Sequence, residues 1–533
     1  MSLTEWWLGA RTSTVQKVCV RCDANDIVIV NGSTQTASMT TEDGTLVFDG
    51  SITGGSITVN GAVAASYPET SLPTGDFEIA FGSCQTPNHD MMYGHTLDTH
   101  NICAFFQTGD FIYETNTEAA RLGGDFAAIV SMEDDAGVDN MYLQRRAIHQ
   151  LPGFKKIAHK TPLYLIADDH DWCDPWDSLD RQGTIVAVTS ITSAATTASV
   201  TTGAAHGYSN GDLIQVEGAD QSEYNGHYEI SNVAATTFDY TFAGSATSPA
   251  TGTITVRKGE SATGAVISRM MIDEAPADRA TALATLTSRI VSANNAYIWR
   301  GCPDPVNRYY AFTISNTRFI VLDCMTNRSG ISATDDSSKT MLGTTQKAWL
   351  KAELSAATET FKVIVNSKTP SFWSNPDSWG YNDAGVYGTE LIELVKYIGD
   401  NSITGCIWIG GDHHHPCAIK YASGELQASP AVPVSGYEHI AINATPVGRL
   451  QDHDIPWGSP SASLPTGCEW RYQYYTGVGS DKDSDACFGK LVVTSEYLEM
   501  QIYQTNNRMK WAGRIYAGET KLKQVSEYLQ VAI

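Results

Sequence analysis

The chain is short of positive charge. Lys+Arg number 35 against 59 Asp+Glu, which leaves a net charge of -24 over 533 residues. An acidic surface of that size repels nucleic acid and anionic lipid at long range, which argues against a DNA-binding scaffold. Long apolar runs are missing too. None approaches the roughly 20 residues that cross a bilayer, so no membrane span is expected. The start, Met1-Ser-Leu-Thr-Glu-Trp-Trp7, has neither a basic segment nor an apolar one, so no signal peptide is read there. The compartment stays open, with extracellular and virion-associated placements both considered. A disulfide framework is also absent. The 11 cysteines are odd in number and scattered through a large chain, which favours free thiols. Cys19 and Cys22 form a CxxC without a second pair. On a strand they point to opposite faces, so they are read as structural rather than as zinc ligands.

What is present is hydrophobic content of 42% with 10% aromatics, the composition of a soluble globular protein. Domains of roughly 100–200 residues imply several modules in a chain this long. Residues 1–75 alternate in short runs such as Asp26-Ile-Val-Ile-Val30, punctuated by Asn31-Gly32 and Asn60-Gly61, and predict a small antiparallel β-sandwich. Residues 76–180 follow a strand–loop–helix–strand pattern, with a helix over 140–150 and a strand over 162–167. Residues 181–258 turn rich in Thr, Ala, Ser and Gly and lose helical periodicity, which predicts an inserted all-β module. There His206-Gly-Tyr-Ser-Asn-Gly-Asp212, Tyr224-Asn-Gly226 and Thr237-Phe-Asp-Tyr240 resemble a small β-domain that recurs in phage tail and other virion proteins. From 259 to 533 the α/β pattern resumes. Helices are expected over 265–293, over 344–354 with Thr344 or Thr345 as cap, and over 390–398. Strands are expected over 318–323, 361–366 and 406–409.

The chemistry-bearing residues stand where apolar runs stop. Phe77, Ile79 and Phe81 alternate into Gly82-Ser-Cys84, and Ile102–Phe106 runs into Gly109-Asp110 with Tyr113 close behind. A buried strand ends on Asp168-Asp-His-Asp171, and another on Gly411-Asp-His-His-His415. Open α/β sheets bind ligands at the carboxyl ends of strands. A thiolate and a phenolate suit a strongly Lewis-acidic ion, and carboxylates suit a harder partner ion. In an extended segment Asp412 and His414 point the same way while His413 does not. Two ligand sets follow: Cys84, Asp110, Tyr113 and His414 for one ion, and Asp110, Asp169 and Asp412 for the other. A shared carboxylate between two ions is the arrangement of two-metal hydrolysis. His170, left off the metal, is placed to protonate a leaving group. Arg145, Arg146 and Arg328 are candidate phosphate clamps.

With these residues in hand the chain resembles the PhoD-type alkaline phosphatases, a branch of the calcineurin-like metallophosphoesterases related to purple acid phosphatases. The matching pieces are Trp7-Leu-Gly-Ala-Arg-Thr12, Phe81-Gly-Ser-Cys84, Gly109-Asp-Phe-Ile-Tyr113, Asp168-Asp-His-Asp171, Leu322-Asp-Cys-Met-Thr-Asn-Arg328, Leu342-Gly-Thr-Thr-Gln-Lys-Ala-Trp-Leu350 and Gly411-Asp-His-His414. The resemblance implies an α/β fold with an αββα sandwich core behind an N-terminal β-sandwich domain. It implies Fe3+ on Cys84, Asp110, Tyr113 and His414, and a second divalent ion near Asp110, Asp169 and Asp412, Ca2+ first and Zn2+ or Mn2+ as alternatives. The implied activity is hydrolysis of a small phosphoester, mono- or diester, by metal-activated hydroxide with His170 at the leaving group. Two departures stand out. Asp171 occupies a position where the family writes glutamate. The wider superfamily's metal histidine after the 361–366 strand is missing from Asn366-Ser-Lys-Thr-Pro370, so Asn366, Ser367 or water is expected there. The rival reading is a virion or secreted structural protein, assembled in a virion or homo-oligomer, that keeps a phosphatase-like scaffold.

Overall fold

Alternating apolar residues build the first 70 residues into two antiparallel sheets. Strands Leu3–Arg11, Gln16–Cys22 and Leu46–Gly50 form one sheet. Ser33–Thr36, Ile27–Val30, Gly55–Val59 and Ala62–Tyr67 form the other, in that order. Leu8, Val18, Val20 and Phe48 from the first meet Val28, Val30, Ile57 and Val59 from the second in one core. Asn31-Gly32 and Asn60-Gly61 all have positive φ, the backbone of a two-residue hairpin turn that matches strand twist. The computed structural model describes residues 3–11, 14–22, 26–36, 46–70, 72–85, 99–112, 145, 148–172, 186–242, 244–258, 294–299, 301–329, 333–370, 379, 387–412, 416–421, 439–443, 468–473, 487–504, 507 and 509–525. The chain divides into two units, Met1–Tyr113 with Met141–Trp172 and Val291–Ile533, and Glu114–Asn140 with Cys173–Ile290.

In the first unit two seven-stranded sheets follow. One runs Leu163–Ile166, Phe105–Thr108, Phe77–Gly82, Cys487–Val493, Tyr497–Gln504, Met509–Tyr516, Lys523–Gln524. The other runs Tyr310–Ile314, Thr317–Val321, Phe361–Lys368, Cys406–Gly411, His439–Asn443, Cys417–Tyr421, Cys468–Gln473. Their inner faces share one core, in which Ile79, Phe81, Phe106 and Ile166 of the first sheet join Phe319, Val363, Val365, Ile407 and Ile409 of the second. At roughly 1.5–3 kcal/mol for each fully buried large apolar side chain, this seam dominates the unit's hydrophobic stabilisation. The outer face of the second sheet is covered by helices Gly343–Ala356 and Gly388–Asp400 through Leu350, Leu354, Leu391, Leu394 and Ile398. Strand Phe361–Lys368 is therefore buried at every position, as a strand covered on both faces must be.

The helix expected over 344–354 starts at Gly343, and neither Thr344 nor Thr345 caps it. Thr340 Oγ1 accepts from Gly343 N at 2.8 Å, and the Glu390 carboxylate accepts from Met341 N at 2.6 Å. The acceptors at the helix start thus come from Thr340, ahead of the helix, and from Glu390 of a neighbouring helix. The expected helix over 265–293 lies outside the described residues, as does most of that over 140–150. The nine cysteines whose side chains are described are free thiols, Cys19 and Cys22 among them. Among the described residues no helix is long and apolar enough to cross a membrane.

In the second unit the described residues 186–258 form a closed six-stranded barrel. Its strand order is Val186–Ala194, Thr197–Thr202, Thr237–Thr241, Gly226–Ser231, Leu213–Ala219, Gly252–Lys258. The barrel has its own core, built on Ile191, Val200, Ile214, Val216, Ile230, Phe238, Tyr240 and Val256.

Candidate active site

Parallel register brings the ends of the site strands into line. Phe81 lies opposite Phe106, and Tyr164 opposite Phe106 on the other side. In the second sheet Val321, Val365 and Ile409 are neighbours across three parallel strands. Immediately beyond these ends stand Cys84, Asp110, Asp168 with Asp169, Lys368 and Asp412. The two sheets touch there. Asp412 N donates to Ser83 Oγ at 3.3 Å, and a Cβ at Gly411 would meet Ser83 Oγ at 2.6 Å. Gly109, at φ +105°, is equally constrained, since a Cβ there would meet Asp168 Cβ at 2.5 Å. Cys84, Asp110 and Asp412 hold φ values of 63°, 49° and 73°. Three non-glycine residues in the left-handed region at one place mark a backbone shaped by its site rather than by local preference.

Ligand-type oxygens of Asp110, Asp168, Asp169 and Asp412 all lie within 4.8 Å of one another. The Cys84 thiol sits 3.4 Å from Asp110 Oδ2 and 3.9 Å from the Asp412 carbonyl oxygen. In the middle is Lys368, fully buried, with Nζ 2.8 Å from Asp412 Oδ1, 3.1 Å from Asp169 Oδ1 and 3.4 Å from Asp168 Oδ1. Burial pushes the Asp110 and Asp168 carboxyls well above the usual carboxylate range, and their mutual repulsion with Asp169 and Asp412 adds to it. Burial pushes Asp169 up as well, but Lys368, then His170 and Arg328, outweigh it and hold that carboxyl below the usual range.

The turn that carries Asp168 and Asp169 is braced by Asp171. Its carboxylate accepts from Asp168 N at 3.0 Å and from Phe111 N at 3.1 Å, tying two site loops together. Arg145, fully buried, donates to the Asp171 carbonyl at 2.7 Å, and Asn294 donates to the same oxygen at 3.0 Å. The Asp171 carboxyl is pushed up to about 6 by burial, with Arg145 opposing. Arg145 thus stands behind the turn. Arg328 is buried and close enough to act on the charge of Asp169. His170 is partly buried and acts on Asp110, Asp169 and Asp171. Tyr113, Arg146 and His414 lie outside the described residues.

Residues 283–452 match the PhoD-like phosphatase family. That match contains Arg328, Lys368 and Asp412, whereas Cys84, Asp110 and Asp168–Asp171 precede it in the chain. A solved structure titled "Structure of PhoD" superimposes with a TM-score of 0.59 at 13% identity, covering 98% of this chain and 92% of that one. At that identity the likeness is one of fold. A purple acid phosphatase, PPD1 from yellow lupin (Lupinus luteus) seeds, aligns with a TM-score of 0.48 at 10% identity over 96% of this chain and 74% of that one. No curated protein matches the chain in sequence.

Two residues of the cluster escape a reading of the sequence. Asp168 is half of an Asp-Asp pair in which one inward carboxylate is the natural expectation. Both turn inward because a short helical turn, Asp169–Trp172, begins between them. The other is Lys368. Of the groups expected in place of the missing histidine, Asn366 donates through Nδ2 to Ile409 O at 3.1 Å and keeps a buried Oδ1 without a hydrogen bond among the described residues, while Ser367 Oγ donates to Asp168 Oδ1 at 3.2 Å. The side chain that enters the cluster is Lys368, after a register shift between Val365 and Lys368. Such an irregularity re-aims a strand-end side chain.

The fit of metal ions differs between two positions. Beside Cys84 and Asp110 a soft donor and a buried carboxylate stand together, a donor set suited to a Lewis-acidic ion. Asp168 Oδ2, buried, accepts no hydrogen bond among the described residues. The position between Asp169 and Asp412 already faces an ammonium at hydrogen-bond distance.

Proposed function

We propose that the chain is a metal-dependent phosphoester hydrolase. The observation that carries this reading is the cluster of four carboxylates and a thiol at the aligned ends of strands from two sheets, of which Asp412 lies inside the PhoD-like phosphatase match. The substrate class is a small phosphomonoester or phosphodiester. Two cation positions are required, one on Cys84 and Asp110, with Tyr113 and His414 completing it, and one among Asp110, Asp169 and Asp412. Fe3+ is the ion that the ligand types favour at the first position, and carboxylates taken alone would suit Ca2+ at the second. A Lewis-acidic ion held there would supply hydroxide near neutral pH by lowering the pKa of water.

The chain's own groups do the rest. Arg328 neutralises non-bridging phosphate oxygens, supported by its position near Asp169. His170 gives its proton to the departing alkoxide oxygen. Asp171 and Arg145 hold the turn on which His170 and Asp169 ride. The resemblance of His206–Asp212, Tyr224–Gly226 and Thr237–Tyr240 to a small domain of virion proteins supports a second reading, a virion-associated role beside or instead of catalysis, tested by mass spectrometry of purified virions.

Hydrolysis of chromogenic phosphomonoester and phosphodiester substrates, with Asp110→Asn measured in parallel, tests the hydrolase. The variant is expected to lose roughly 10²-fold or more, since even outer partners of metal sites matter on that scale. Equal rates in both proteins, or none in either with iron and calcium supplied, would remove the reading.

A further inference from the structure

We infer that the second cation of this site is the Lys368 ammonium, so that the chain holds one metal ion where a two-ion centre is expected. The inference rests on the hydrolase reading above. An ammonium has three N–H donors. Lys368 Nζ donates to Asp412 Oδ1 at 2.8 Å and forms ion pairs with Asp169 at 3.1 Å and Asp168 at 3.4 Å, and its side chain has no solvent exposure. A buried charge is tolerated only when paired in this way. The backbone agrees with the placement. The strand carrying Lys368 is shifted in register just before it, and Gly411, the residue paired with Lys368, brings the two sheets within contact.

A divalent ion between Asp169 and Asp412 would sit against the Lys368 ammonium in a largely buried setting, where like charges repel more strongly than in water. The ammonium would have to leave, and a fully buried side chain has no solvent to leave into without opening the seam between the sheets. Lys368 therefore does what a second ion does electrostatically. It sets a positive charge among the crowded carboxylates of Asp168, Asp169 and Asp412. It does not supply a second coordination position, so the nucleophile and its activation belong to the Cys84–Asp110 side alone.

The test counts metal. Full-length protein is loaded with iron and Ca2+, passed over a chelating resin, and its ions per chain are measured by inductively coupled plasma mass spectrometry. The wild type is expected to retain one ion. Lys368→Met, similar in length without the charge, is expected to retain a second. Two tightly held ions in the wild type would overturn the inference while leaving the hydrolase reading intact. No gain in Lys368→Met with an unchanged circular dichroism spectrum would overturn it as well. The wild-type count decides alone if that variant does not fold. A wild type that retains none and hydrolyses neither phosphoester removes both readings.

Discussion

At the scale of single residues, the carboxylates of the site divide into those that face the cluster and one that holds it from behind. Asp171 touches neither Lys368 nor the cluster oxygens in any described contact. It satisfies two backbone N–H groups on separate loops and faces Arg145, which is fully buried. Removing it leaves two buried donors and a buried guanidinium short of a partner. Asp171→Ala should cost about 3–5 kcal/mol, the range for breaking a buried ion pair. The readout is the midpoint of denaturant unfolding followed by tryptophan fluorescence. A shift worth under about 1 kcal/mol would mean that Arg145 and the loops are held by other groups. The strand-end carboxylates were legible in sequence because Asp110, Asp169 and Asp412 each follow an apolar run. Lys368 was not, because a lysine at a strand end reads as a solvated group, and only the register shift turns it inward. Asp168 was hidden by its neighbour, since an extended chain would send adjacent side chains to opposite faces.

At the scale of elements, a short helix joins the N-terminal sheets to the core. Helix Pro152–Ala158 buries Phe154 and Ile157, and the histidines flanking it pack on aromatic rings. His149 is buried among Trp7, Phe111, Phe154 and Tyr297, and His159 stacks on Trp6 with ring centroids 4.0 Å apart. Burial holds His149 well below the ordinary histidine range and His159 at about 4. Both are neutral in the fold, while the unfolded chain protonates them near pH 6.5. The unfolded state then binds more protons below that pH, so stability is complete above about 6.5 and falls on acidification toward 4. Thermal melts from pH 7.5 to 4.5 should show this loss, and His159→Gln should reduce the slope. An unchanged slope in the variant would assign the acid sensitivity to other groups. This packing had no sequence signal, because isolated histidines carry no periodicity and their partners come from four separate segments. The strands were more legible. The alternation of Phe77, Ile79 and Phe81 corresponds to strand Phe77–Gly82, and the apolar run after Pro162 to strand Leu163–Ile166.

At the scale of the molecule, the described part of residues 186–258 has closed strand pairing and an apolar core of its own. A segment of residues 184–260 should therefore fold alone, near the lower size limit at which one core suffices. A cooperative thermal transition and a strand-type circular dichroism spectrum are expected of it. A broad, featureless melt would show that the barrel depends on the rest of the chain. The loss of helical period and the Thr- and Gly-rich composition announced an all-β segment there. Closure into a barrel was not legible, because pairing Val186–Ala194 with Gly252–Lys258 is a contact between strands far apart in the chain.

The first large sheet closes in a particular way: strand Phe77–Gly82 is flanked by Phe105–Thr108 on one side and Cys487–Val493 on the other. The cluster draws on residues from Cys84 to Asp412, and the sheet that carries its earliest members is finished by nearly the last strands made. A ribosome that has released about four fifths of this chain has released every acid of the cluster and neither large sheet complete to hold them. The two large sheets that carry the cluster are completed only when synthesis is almost over. The segment 283–452, cut out by itself, keeps Arg328, Lys368 and Asp412 without Cys84, Asp110 or the 168–171 turn, so no length of chain short of nearly the whole is a smaller version of this protein.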